Sequence, residues 1–140
     1  MSIEPGITGT AKTKVSVDMT ASKQGSGLVE GLATPVMILL MEEAAVRALE
    51  GQLAPGKTSV GTSVDIKHVA PTPVGMEVEA SATLTKVEGH ALTFTVSVDD
   101  ERGLIGKGVH QRAVVDKASF AERIAARWEA VNASAVKEAL

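Results

Sequence analysis

ATPVMILLMEEAAVRALEG, residues 33–51, reads as one helix with both ends marked. Thr34 is a good N-cap, and Pro35 at the first helical position has no amide hydrogen to leave unpaired. Gly51 supplies the C′ stop, and Pro55-Gly56 bars continuation. That leaves about four turns, roughly Pro35–Glu50, at 3.6 residues per turn. The helix is apolar nearly all round, with an unbroken run from Val36 to Met41. Such a helix has to be wrapped by a sheet or covered by a second copy of itself, so a homodimer is expected, with a dimer of dimers open. One residue breaks the apolar pattern. Glu42 sits in the middle of the run, where a carboxylate is costly unless something uses it.

Outward from this helix the period changes to two. Upstream, Thr8–Val17 alternates as a half-buried strand, and 19–31, MTASKQGSGLVEG, is small, polar and Gly-rich, the composition of a mobile loop. Downstream, TSVGTSVDIKH (58–68) reads as a strand and APTPVG as a turn. MEVEASATLTKV puts Met76, Val78, Ala80, Ala82 and Leu84 on one face. A short turn at 88–90 leads into ALTFTVSVD, with Leu92, Phe94, Val96 and Val98 sharing a face. LIGKGVHQRAVVD is a last strand loosened by Gly106 and Gly108. Ser119 and Glu122 have capping-box spacing for a C-terminal helix running to about Ala130 or beyond. The expectation is a single α+β domain over 1–140, its core at about 8–116 and a helical extension at 117–140.

Composition excludes several classes of function. The chain has 140 residues, 44% of them hydrophobic, with Phe94, Phe120 and Trp128 the only aromatics. A net charge of −3 and the lack of basic runs with interleaved aromatics argue against nucleic acid as a partner. With no cysteine, thiolate nucleophiles, disulfides and zinc–thiolate sites are out. No carboxylate–histidine cluster has metal-ligand spacing, so neither metal nor resident cofactor is expected. There is no Gly-x-Ser-x-Gly elbow and no phosphate-cradling glycine loop. The start lacks a basic-then-apolar leader, and the Val36–Met41 run is far short of the ~20 residues of a spanning helix. No membrane is implied, and a cytoplasmic protein is expected.

Several positions carry the candidate chemistry or its alternatives. Glu43, Arg47 and Glu50 fall at i, i+4 and i+7, a solvated stripe with one favourable ion pair. Glu42 has no basic residue three or four positions away. It is either a functional acid or a carboxylate at the packing rim whose head reaches water. Thr34 is either a plain cap or, with the helix-start amides and the positive end of the dipole, a place to hold an oxyanion. Among the histidines, His90 lies in a hairpin turn. His110 shares a strand face with Arg112, and His68 ends a strand before a Pro-containing turn, where a side chain can project into a cleft.

Taken together, ATPVMILLMEEAAVRAL, SVGTSVDIKHVAPTPVGMEV and IGKGVHQRAVV resemble the fluoroacetyl-CoA thioesterase family within the hot-dog fold superfamily. The resemblance covers roughly 8–116 and implies a hot-dog fold, a long central helix wrapped by a curved antiparallel sheet. It also implies a dimeric acyl-CoA thioesterase, with coenzyme A as part of the substrate and catalytic Thr, Glu and His on Thr34, Glu42 and His68. The family's substrate-contacting glycine and arginine fall on Gly61 and Arg112. One departure bears on selectivity for a fluorinated acyl group. The family's namesake has an aromatic-bearing lid before the helix, whereas loop 19–33 here has no Phe, Tyr or Trp.

Helix geometry sharpens this assignment. Thr34 and Glu42 are eight residues apart, a rise of ~12 Å. One chain can hardly bring both to one carbonyl. If two helices meet antiparallel about a two-fold near Ile38, Thr34 of one faces Glu42 of the other, which predicts a composite site present twice per dimer. Glu42 is then a nucleophile or a base for water, and His68 carries the second proton transfer. Short or medium acyl groups suit the adaptable Met37 and Met41. The rival expectations are a non-catalytic acyl-CoA binding or regulatory domain and a hot-dog hydratase or dehydratase.

Overall fold

The computed structural model describes residues 3–139, with side chains through residue 133. The period-two segments form five strands: β1 (Thr8–Lys14), β2 (Lys57–His68), β3 (Glu77–Glu88), β4 (Ala91–Asp100) and β5 (Gly103–Asp116). They pair antiparallel throughout, in the order β1-β3-β4-β5-β2. Strict alternation assigns one face to the interior, and Val78, Ala80, Ala82 and Leu84 of β3 and Leu92, Phe94, Val96 and Val98 of β4 are buried there. Met76 precedes β3 and is only half-buried. Bulges beside Thr62, Thr85 and Ile105 interrupt the register and bend the sheet.

Three helices complete the chain: α1 (Ala21–Gln24), α2 (Thr34–Ala48) and α3 (Lys117–Ala139). The central helix α2 lies in the curve of the sheet, against β1 and β3 above all. Its inward face is Met37, Leu40, Met41, Ala44, Ala45 and Ala48. Burying each large side chain of that set stabilises the fold by roughly 1.5–3 kcal/mol. The alanines of its C-terminal half have a steric purpose. A Cβ at Gly9 of β1 would collide with the backbone of Ala44 and Ala48, so strand and helix are in direct backbone contact there. The opposite face of α2 is unpartnered within the chain, with Leu39 and Val46 about half exposed. The expected Glu43–Arg47 ion pair is absent among the described residues, and Arg47 instead donates to the Thr10 carbonyl at 3.4 Å.

Two local expectations are corrected. The segment expected as a mobile loop is largely pinned. Thr20, buried, donates its hydroxyl to Val17 O and accepts from Lys23 N to start α1, while Leu32 N and Ala33 N bond to Thr72 O and Met19 O. Residues 25–30 stay exposed, Leu28 almost completely. At the C-terminus, α3 begins two residues before the expected capping box. The Asp116 carboxylate accepts from Ser119 N at 2.9 Å, and that bond holds its carboxyl below the usual carboxylate range. β5 therefore ends on the cap of the helix that follows it. Ile124, Trp128 and Val131 of α3 are exposed.

Candidate active site

Of the five residues singled out, the structure brings Thr34 and His68 together in one place and Glu42, Gly61 and Arg112 in another. Thr34 is not the cap of α2. Ala33 occupies that position with extended dihedrals, and its carbonyl accepts from both Val36 N and Met37 N. The Thr34 hydroxyl has turned instead to His68 Nδ1, 2.8 Å away. Pro35 has no N–H, so the Thr34 amide is the first-turn donor left without a protein acceptor among the described residues. The amide and the hydroxyl leave the same residue at the positive end of the helix dipole.

On the other side of the imidazole, His68 Nε2 is buried and has no hydrogen-bond partner among the described residues. Burial pushes the pKa of His68 down, a shift the backbone of Ala70 partly offsets. A cavity of about 400 Å³ opens here, lined among others by Gly27, Val29, Leu32, Thr34, His68 and Ala70. A ring nitrogen without a bond, on a side chain that lines a cavity, is a candidate to give or take a proton.

The second cluster forms where the middle of α2 passes β2 and β5. Glu42 Oε2 lies 3.8 Å from Arg112 Nη1, and a Cβ placed on Gly61 would come within 2.9 Å of the same carboxylate oxygen. Glycine at 61 thus leaves room for the carboxylate where it lies, and a side chain there would make the Glu42 tip shift. At 3.8 Å the ion pair is too long for a hydrogen bond, so the carboxylate is close to a cation without being clamped by it. The basic partner missing from the helix comes from a strand 70 residues away in sequence. Arg112 is buried and held elsewhere. Its Nε donates to Ser59 Oγ at 2.9 Å, Nη2 to Ser59 O at 3.1 Å, and Nη1 lies 3.1 Å from His110 Nε2.

Sequence reasoning put His110 on the Arg112 face and stopped there. The structure makes it a member of this cluster, buried, with Nδ1 2.8 Å from the Ser63 carbonyl and its ring stacked on Phe94. The same-face spacing of His110 and Arg112 was the available signal. His90 is exposed in the β3–β4 turn, as expected. Among the described residues, no three His, Asp or Glu gather closely enough to hold a metal ion.

A bulge in β2 sets which way these groups face. Gly61 and His68 are seven residues apart, so on a regular strand they would point to opposite sides of the sheet. The pairing skips Thr62: Gly61 opposes Arg112, Ser63 opposes Gln111, and Val64 opposes His110. Gly61, Val64 and His68 consequently all face the side on which α2 lies.

Both site histidines favour the neutral form. For His110 the main cause is burial; the Ser63 backbone bond is next and opposes it, the Arg112 charge adds to the lowering, and Glu42 opposes it least. A histidine whose folded pKa lies below its ordinary 6.5 binds its proton more readily when unfolded. Stability is therefore full above that value and falls as the pH drops below it. The melting temperature should fall between about pH 7.5 and about pH 5.5, and fall less in His110→Gln. Thermal melts of both proteins at the two pH values check this.

The comparisons with known proteins follow this geometry. Residues 15–118 match the family described as fluoroacetyl-CoA-specific thioesterase. The fluoroacetyl-CoA thioesterase of Streptantibioticus cattleyicolor is 42% identical over 95 residues, 68% of each chain. A solved structure of the fluoroacetyl-CoA thioesterase FlK superposes with a TM-score of 0.81 at 34% identity, covering 89% of this chain and 96% of that one. A Thermus thermophilus thioesterase superfamily member does so with 0.82 at 30% identity, covering 92% and 98%. A hot-dog-like protein from Thermanaerovibrio acidaminovorans gives 0.80 at 28% identity, over 88% and 91%. The chain therefore belongs to the fluoroacetyl-CoA-specific thioesterase family of hot-dog thioester hydrolases.

Proposed function

We propose that the protein hydrolyses short or medium acyl-CoA thioesters at a site shared between two chains, with Thr34 and His68 from one and Glu42, Gly61 and Arg112 from the other. The observation that carries this reading is the division of the candidate residues into two half-sites along α2. Thr34 and His68 meet at its start, while Glu42 and Arg112 lie two turns on. Those turns span ~12 Å, more than one thioester carbon can bridge. An antiparallel second α2 brings unlike halves together. Pro35, Leu39, Glu42 and Val46 fall at i, i+4, i+7 and i+11 on a stripe the chain itself does not cover, which supports such a partner. So does the edge strand β2, which has one unpaired side and a part-exposed Val64. A second such pairing would make a tetramer.

The chemistry follows from which groups hold bonds already and which are free. The substrate carbonyl would rest against the Thr34 N–H and hydroxyl, whose donors and helix-end field favour the oxyanion formed on attack. Glu42, unclamped by Arg112, either attacks the carbonyl to give a mixed anhydride or draws a proton from the water that attacks. The C–S bond then breaks, and on the covalent route water next hydrolyses the anhydride to the free acid and the Glu42 carboxylate. The thiol departs with a pKa of ~8.5, by analogy with cysteine, and needs little help. His68 would protonate that sulfur or relay the proton of water, a role that its unbonded Nε2 supports.

The acyl chain would enter the cavity beside Thr34, whose apolar lining includes Val29 and Leu32 and no aromatic ring. That lining fits aliphatic acyl groups generally better than a fluoroacyl group alone. A mutant of FlK has been solved with fluoroacetate and CoA, and the shared fold makes CoA thioesters the substrate class to test. Acyl-CoAs carry phosphates that keep them where they are made, so the cytoplasm is part of the proposal. The test is thiol release from acetyl-, fluoroacetyl-, butyryl-, hexanoyl- and octanoyl-CoA. Turnover of several of them is expected. Binding without thiol release would make the protein a binding module, and water addition to an enoyl-CoA without thiol release would make it a hydratase.

A further inference from the structure

We propose that His110 is a positioning residue for hydrolysis: as the Nδ1–H tautomer it presents a bare Nε2 that fixes the Arg112 guanidinium beside Glu42 and Gly61. This rests on the reading of Arg112 as a substrate contact. The tautomer follows from the partners. Nδ1 is 2.8 Å from the Ser63 carbonyl, which can only accept, so Nδ1 carries the hydrogen. Nε2 is 3.1 Å from Arg112 Nη1, which can only donate, so Nε2 carries none. Neither contact leaves the ring a choice.

The guanidinium needs such an anchor. Arg112 is buried, and Glu42 at 3.8 Å is too far to accept a hydrogen bond from it. A buried cation with unpaired donors is costly. Two donors are met by Ser59 and one by His110, so among the described residues two of the five N–H groups have no hydrogen-bond acceptor and can meet a substrate oxygen or the acyl substituent. Ser59 holds the guanidinium from β2 and His110 holds it from β5, so its plane is fixed from two strands. With the opposite tautomer two N–H groups would face each other, and Arg112 would have to swing off its position.

His110 is itself held. Its ring stacks on Phe94, with centroids 6.5 Å apart, and Ser63 directly follows the bulge at Thr62. The bonds run without a break from the bulge through His110 to Arg112. A histidine serving only as core filler would not need both nitrogens matched to the tautomer that Arg112 requires.

Two substitutions separate positioning from filling. His110→Phe keeps a ring against Phe94 and removes the acceptor, whereas His110→Gln keeps an acceptor near the Nε2 position. The Phe variant is expected to lose about 10- to 100-fold in kcat, the scale of a misplaced site group. KM should change by less than about 3-fold, and the Gln variant should keep most of the activity. A double-mutant cycle gives the decisive result. In an Arg112→Gln background, His110→Phe should cost nothing further, because its effect runs through Arg112. Losses that multiply in the cycle, or a Gln variant as impaired as the Phe variant, overturn the proposal.

If Arg112→Gln itself hydrolyses normally, Arg112 is not a substrate contact and the positioning role falls with it, while thioesterase activity stands. If no acyl-CoA is hydrolysed at all, the functional reading fails separately. Should the Phe variant not fold, imidazole ¹⁵N shifts of the wild-type protein decide: a protonated Nδ1 and a bare Nε2 support the anchor, and the reverse overturns it.

Discussion

Glu42→Gln is expected to lower kcat by about 10²- to 10⁴-fold on every acyl-CoA the protein turns over, the range for loss of a positioned acid–base group. The amide keeps the size and shape of the side chain but can neither attack a thioester nor accept the proton of water. The fold should survive. Glu42 is partly exposed, and Arg112 retains its bonds to Ser59 and His110. The ion pair is long and the Glu42 side chain is 38% exposed, so solvent already screens part of it. A melting temperature close to wild type with turnover collapsed is the expected pair of measurements. Activity within about 10-fold of wild type would remove Glu42 from the chemistry. A single turnover in ¹⁸O water then separates the two routes. The mixed anhydride leaves label on Glu42 when water opens it at the Glu42 carbonyl, and direct water attack never does, so label on Glu42 establishes the covalent route.

The second large effect is a recovery. Thr34→Ala and Glu42→Gln each damage both composite sites of a homodimer. In a mixed dimer the two lesions fall in one site and the other is assembled from intact halves. Random reassortment makes half the dimers mixed, each with one working site, so a mixture of two inactive proteins should regain about one quarter of wild-type activity. The mixture is made by co-expression or by refolding together and assayed against each variant alone. A site contained in one chain predicts no recovery, because every chain in the mixture carries a lesion. The experiment reads the number of chains per site directly, and it does not depend on which route Glu42 takes.

The elements were legible because their signals are local. Pro35 and Gly51 bracket the helix, and the alternation in 76–84 and 92–98 matches the buried face of β3 and β4. The misreadings share a cause, which is a partner distant in sequence. Thr34 looked like a cap because nothing near it shows that His68, 34 residues on, would take its hydroxyl. The Gly-rich segment looked loose because the bonds that pin it end at Thr72 and Met19. Asp116 outcompeted Ser119 as the cap because the strand delivers it directly to the first turn of α3. Glu42 stood out by composition, but its surroundings did not. Arg112, His110 and Gly61 reach it only after β2 and β5 have paired, and no window around residue 42 contains them.

The extra residue at Thr62 works as a phase shift in a two-beat pattern. Every position from Ser63 to His68 is set against the beat established by Lys57–Gly61, and the proposed site draws on both sides of the shift. Such a strand can vary widely in side chains on its exterior, but its length between 61 and 68 is tied to the bulge. Removing one residue between Ser63 and Ile66 with the bulge kept at Thr62 would turn His68 to the outside and Lys67 inward, whereas removing Thr62 itself leaves a regular strand on which Gly61 and His68, then six residues apart, still share a face. For this stretch the count of residues and the presence of the bulge have to change together.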